Sequence, residues 1–137
     1  MKSARDEARA HLAFVGLEAQ SMQAAATLTL AMRKRLELAK ALAMRPKLLF
    51  LDEVNAGLNS AEVERATKLI HQLAAAGITI VMIEHLMKVV LNVCTRIVVL
   101  HNGSLIADGA PRDVINNPAV VEAYLGQQYA QRAAAHG

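Results

Sequence analysis

A chain of 137 residues, 54% hydrophobic and 20% charged, has the length of one domain and a globular composition, which excludes a disordered segment. A net charge of +3, with aromatics at 3% and no Trp, excludes the basic, aromatic-studded surface of a nucleic-acid binder. The lone Cys94 rules out an internal disulfide and fits a reducing compartment, and no apolar stretch approaches a membrane span, so a soluble chain with at most peripheral membrane contact is expected.

Ser3 can cap a helix over residues 4–15, with Asp6 and Glu7 in its first turn and Gly16 as its stop. Residues 17–28 show no period and read as a loop. Thr29 then suits the N-cap of a helix over 30–44, with Leu36, Ala39 and Ala43 on one face. The basic run Arg33-Lys34-Arg35, continued by Lys40, Arg45 and Lys47, reads as a solvated face of that region. Arg45-Pro46 ends the helix, because a residue before proline avoids the helical region.

Leu48-Leu49-Phe50-Leu51-Asp52-Glu53 follows at once. Four large apolar residues in succession suit a strand covered on both faces, as at the centre of a parallel sheet. After a short loop containing Gly57, Asn59 and Glu62 have capping-box spacing and open a helix to residue 75, its buried stripe being Val63, Ala66, Ile70 and Leu73. Gly77 closes it, and residues 78–83 read as a second buried strand. Strand, helix and strand with short joins make a βαβ unit with parallel strands. A short helix over 86–93 comes next. Asn102-Gly103, between runs 96–101 and 104–109, is a hairpin signal. Pro111 starts a helix to residue 116, a last one spans 119–125, and 127–137 reads as a frayed tail.

The chemistry gathers at the strand ends. Parallel strands deliver Asp52 and Glu53 from one and the polar pair Glu84-His85 from the other to the same sheet edge, where open α/β sheets bind ligands. Carboxylates there suit Mg²⁺ on nucleotide phosphates, or they are a polar pair where a strand meets a loop. Neighbouring strand residues point to opposite faces, so one carboxylate can hold a metal while the other takes a proton from water. His85 can orient a phosphate or cap the helix that follows.

These residues carry a resemblance. Leu48 to Glu53 resembles the Walker B strand of ATP-binding-cassette ATPases, Asn55-Ala56-Gly57-Leu58-Asn59 their D-loop, and His85 their switch histidine. Leu28-Thr29-Leu30-Ala31-Met32 stands where the family keeps its signature motif, and the helix after it is similar too. The narrower likeness, through Ala56 to Asn59, Ile83-Glu84-His85 and the run from Asn117 to Gly126, is to cassettes of branched-chain amino-acid importers. The resemblance implies an α/β fold, the C-terminal part of a P-loop NTPase-like cassette, with parallel strands flanked by helices plus a C-terminal hairpin and short helices. It implies that Asp52 helps hold Mg²⁺, that Glu53 is the base acting on the attacking water, and that His85 contacts the terminal phosphate. Thr29, Leu30 and Ala31 would belong to a surface that meets ATP bound on the opposing subunit, and Asn59 is a further nucleotide-contact candidate. The partners implied are transmembrane permease subunits and a second ATPase subunit, with no nucleic acid. The place implied is the cytoplasm, peripheral on the inner face of the cell membrane.

The sequence departs from the family at Thr29 to Met32, where serine, two glycines and a glutamine are usual, and at Val54 and Asn59, which often are proline and aspartate. It contains no Gly-x-x-x-x-Gly-Lys-Ser/Thr to cradle phosphates. The expected organisation is therefore part of the helical, signature-bearing region over 1–45 and the C-terminal part of the ATPase core over 46–126, the P-loop half being absent. Such a chain is expected to be a C-terminal portion of a longer ATPase and inactive alone. Its uncovered faces leave self-association open. The rival readings are a non-catalytic module that pairs with an intact cassette and, less well matched, the ATPase head of a DNA-repair or chromosome-organising protein.

Overall fold

The three longest helices among the described residues begin where the sequence supplies caps. In the computed structural model, which describes residues 3–126, Ser3 opens α1 (Ala4–Phe14) with a capping box. Its hydroxyl accepts from the Asp6 N–H at 3.3 Å, and the Asp6 carboxylate accepts the Ser3 N–H at 3.1 Å. The Thr29 hydroxyl caps α2 (Leu30–Ala43) by accepting from the Met32 N–H at 3.3 Å. Asn59 and Glu62 cap α3 (Ser60–Ala75) reciprocally, at 2.9 and 3.0 Å. The expected tail, 127–137, lies outside the described residues.

The chain divides after His85 into two compact units. In the first, β1 (Leu48–Asp52) pairs in parallel with β2 (Thr79–Ile83), Leu48 opposite Thr79 and Asp52 opposite Ile83, so the βαβ unit forms as its spacing requires. The expected burial of β1 on both faces does not hold. Leu49 and Leu51 are buried, but Leu48 and Phe50 are exposed, as are Val81 and Ile83 of β2. Among the described residues β1 has β2 as its one strand neighbour, so its other edge and one face have no cover. The segment read as a loop contains two single 3₁₀ turns, Glu18–Gln20 and Ala25–Thr27. Around these turns Val15, Leu17 and Leu28 are buried. A single turn is too short to leave a periodic signal.

The buried residues of α2 are Ala31, Ala39 and Leu42, whereas Leu36 is half-buried and Ala43 exposed. In α3, Ile70 and Leu73 are buried as expected, with Leu69 beside them and Val63 and Ala66 half-buried. The basic stretch is not wholly a solvated face. Arg35 Nη1 donates to the carbonyls of Val15 and Gly16 at 3.1 and 3.2 Å, and Arg45 pairs with Glu7 at 2.8 Å, which ties α1 to α2 and to the turn after it. Arg45 leaves the helical region before Pro46 by taking a left-handed φ of 51°.

The second unit holds α4 (Met87–Val93), β3 (Ile97–His101), β4 (Ser104–Gly109), α5 (Pro111–Ile115) and α6 (Pro118–Val120). The β3–β4 hairpin turns through Asn102 at φ 47° and Gly103 at φ 77°, the left-handed pair that its tight turn demands. Ile97, Ala107, Val114 and Val120 form its core, with Val90, Cys94, Val99 and Ile106 packed around them. Arg96 grips the Asp108 carboxylate through two bonds of 2.8 Å and holds it below the usual carboxylate range. Burial pushes the Cys94 thiol up. The single helix expected over 119–125 is instead α6 followed by wider i→i+5 turns over Val121–Leu125. The Tyr124 hydroxyl donates to the Leu100 carbonyl there. No helix among the described residues is long and apolar enough to cross a membrane.

Candidate active site

The parallel register puts the polar ends of β1 and β2 side by side. Asp52 is the last residue of β1, on its exposed phase, and stands opposite Ile83. Glu53 leaves the strand with a left-handed φ of 46°, a conformation that costs a side-chain-bearing residue roughly 1–2 kcal/mol. Bonds on both sides of its backbone hold it there. The Glu53 N–H donates to the Ile83 carbonyl at 2.9 Å, and the Glu53 carbonyl accepts from Lys34 Nζ at 3.3 Å. The carboxylate then comes within 3.6 Å of the ring, Glu53 Oε1 to His85 Nδ1. That is too long for a direct hydrogen bond and close enough for a shared water or phosphate. Both side chains are open to solvent, His85 at 64% and Glu53 at 55%. Leu86 holds the cap position of α4 and no side chain caps that helix, so the His85 ring stands beside Glu53 rather than serving as a helix cap.

The other sequence-derived candidates have different surroundings. The Thr29 hydroxyl and the Asn59 side-chain oxygen are engaged in capping α2 and α3. Ala31 is buried. Leu30 is exposed, and its side chain lies against the D-loop-like turn. A Cβ built on Gly57, whose φ is 76°, would stand 3.0 Å from Leu30 Cδ2. Thus Asp52, Glu53 and His85 come together at one strand edge, and Leu30 meets the loop that follows them.

A cavity of about 220 Å³ opens between α2, β1 and α3, walled by Ala31, Leu38, Leu49 and Leu69 and reaching Lys34 and Asp52. It is smaller than the roughly 300–1,000 Å³ of ordinary ligand sites, and its walls are mainly apolar, so it does not suit a triphosphate. Among the described residues no group of three or more His, Cys, Asp or Glu could hold a metal by itself. Asp52 alone still fits Mg²⁺, which keeps several waters and takes one or two carboxylates together with substrate phosphates. Sequence reasoning missed Lys34 on the Glu53 carbonyl, and it missed Asn55, whose amide binds the Glu84 carboxylate at 2.8 Å. The one available signal was the acidic residue directly before His85.

The chain is similar to known proteins over most of its length. Residues 1–56 match the family model described as "ABC transporter", and residues 104–130 match the one described as "Branched-chain amino acid ATP-binding cassette transporter". The chain is 40% identical over 114 residues to the high-affinity branched-chain amino acid transport ATP-binding protein BraF of Pseudomonas aeruginosa, covering 82% of this chain and 45% of that protein. It is 38% identical over 125 residues to LivG of Escherichia coli K12, of the same description, covering 90% and 49%. The lipopolysaccharide export system ATP-binding protein LptB of Acidithiobacillus ferridurans is 37% identical over 97 residues, covering 71% and 40%. Among solved structures, the ADP conformation of an ATP-binding cassette of an ABC transporter superposes with a TM-score of 0.82 at 30% identity, covering 92% of this chain and 52% of that one. The chain spans about half the length of the curated relatives it matches.

Proposed function

The chain belongs to the ATP-binding-cassette family of transporter ATPases, and from that premise we propose that it supplies the Walker B, D-loop and switch-histidine half of a cassette that energises uptake of branched-chain amino acids or similar small solutes. The observation that carries the chemistry is the 3.6 Å approach of the Glu53 carboxylate to His85 at the edge that also presents Asp52. Importer rather than exporter is supported by the match at residues 104–130 and by alignment with LivG over 90% of the chain, against 71% for the export relative.

In this reading Glu53 takes a proton from the attacking water as the water oxygen bonds to the terminal phosphorus of ATP. The bond to the leaving oxygen breaks, giving ADP and inorganic phosphate. Such base assistance contributes roughly 10²–10⁴-fold. Phosphoryl transfer needs positioning and charge neutralisation more than covalent chemistry, and this chain contributes a clamped Glu53 backbone, the His85 ring and the Asp52 carboxylate. Mg²⁺ neutralises phosphate charge when bound, and Asp52 is the residue that would help hold it. Thr29, Leu30 and Asn59 supply part of the surface toward ATP bound on the second subunit, with buried Ala31 behind them. A second ATPase subunit and transmembrane permease subunits are the partners, and the chain works peripherally on the cytoplasmic face of the membrane. Without a P-loop-bearing half it does not retain ATP.

Uptake of labelled leucine, isoleucine and valine tests the transport side. Cells without this chain lose uptake, and the wild-type gene restores it while Glu53→Gln does not. Uptake that persists in its absence contradicts the proposed solute class.

A further inference from the structure

A second set of contacts links the segments of Glu53 and His85, and the hydrolytic chemistry does not use it directly. Asn55 is 1% exposed, deep for an amide side chain. Its Nδ2 donates to Glu84 Oε1 at 2.8 Å, and its backbone N–H reaches the same oxygen at 3.3 Å. The other carboxylate oxygen, Glu84 Oε2, accepts the backbone N–H of His85 at 3.2 Å. One carboxylate therefore holds both the chain two residues beyond Glu53 and the peptide of His85 itself.

The chemistry of the groups fixes the arrangement. Hydrogen bonds accepted by a carboxylate are charge-assisted and stronger than neutral ones. Turning the Asn55 amide over would set its oxygen against that carboxylate, so its orientation is determined. The consequence is that Asn55 Oδ1 is buried with no hydrogen-bond partner among the described residues. A buried orphan of this kind is rare and calls for a reason. Reading Glu53 and His85 as the hydrolytic pair supplies one.

We propose that Glu84 and Asn55 are positioning residues, a carboxylate–amide clamp that joins the loop after Glu53 to the end of β2 and so sets the Glu53–His85 separation. Neither residue touches substrate. The proposal rests on the hydrolytic reading of Glu53 and His85. Glutamine at position 84 keeps a single acceptor oxygen, which cannot serve Asn55 and the His85 peptide together.

Two measurements test the clamp. In the 137-residue chain, amide hydrogen exchange followed by NMR is slow at Asn55 and His85. Glu84→Gln speeds both several-fold while the core amides of Val15 and Leu17 keep their rates. In the cassette completed by a P-loop-bearing half, Glu84→Gln and Asn55→Ala each lower kcat by roughly 10- to 100-fold with the KM for ATP little changed, and the double variant is no worse than the single ones. Glu53→Gln is the reference. If it abolishes turnover while Glu84→Gln and Asn55→Ala keep wild-type kcat, the clamp is overturned and the hydrolytic reading stands. If Glu53→Gln leaves turnover intact, the hydrolytic reading falls and the clamp falls with it. Exchange that rises equally at the core amides, or an effect confined to KM, also overturns the clamp, because the pair would then serve only stability or binding.

Discussion

On one face of the β1–β2 pair, Leu49 and Leu51 are each 7% exposed, with Ile80 and Met82 half-buried opposite them. On the other face Leu48, Phe50, Val81 and Ile83 are 49%, 65%, 40% and 55% exposed. Apart from Thr79 and Asp52 on the exposed face, the residues of the two faces are alike in apolar character. An apolar run therefore records what a strand is built to pack against, and this chain's own residues bury only half of that requirement. The bare face and the open edges of a two-stranded sheet favour association with another apolar surface.

Substitutions that strike the two faces separately give the largest contrast. Leu49→Ala empties a buried site and lowers stability by about 2–5 kcal/mol in urea unfolding, whereas Phe50→Ala stays within about 0.5 kcal/mol. The same Phe50→Ala weakens any self-association seen in sedimentation velocity. A smaller effect tests how firmly the loop beyond β1 is held. Gly57→Ala forces a side chain into φ 76° against Leu30 and costs roughly 1–2 kcal/mol.

The smallest effect lies in the hairpin unit, far from this contrast in kind. The Arg96 guanidinium holds the Asp108 carboxyl below its ordinary value, so the folded-state pKa lies below the unfolded one of about 3.9. The pair's contribution is present above that unfolded value and is lost as pH falls through the folded one. Melting temperatures of wild type and Asp108→Asn therefore differ slightly at neutral pH and converge on acidification, the size being that of an exposed ion pair.

Much of this fold is legible in the sequence because its signals are local. Ser3, Thr29 and Asn59 announce helix starts within three residues, Asn102-Gly103 fixes a hairpin, and the spacing of two apolar runs gives a parallel pair. The carboxylates and His85 follow from that pair, since both strands end at the same edge. What the sequence hides is long-range. The Lys34 bond to the Glu53 carbonyl spans 19 residues, and the Asn55–Glu84 clamp spans 29. No periodicity or cap rule links such positions. The apolar run alone does not mark Phe50 as exposed, because composition states a preference for burial; the absent P-loop motif points to uncovered sheet and helix faces without saying which they are. The single turns around residues 18–27 are too short to leave a period, and the backbone partners of Arg35 at Val15 and Gly16 leave no mark in a sequence that suggests a solvated face.

In the proposed reading, Asp52, Glu53 and His85 form part of a hydrolytic site that another, P-loop-bearing half completes. ATP turnover by the 137-residue chain alone, and then by the chain joined to such a half, tests it most directly. Turnover is expected to be negligible alone, clear once joined, and lower by roughly 10²-fold or more in the joined protein carrying Glu53→Gln. Robust turnover by the 137 residues alone, or an unchanged rate with Glu53→Gln, would contradict that reading.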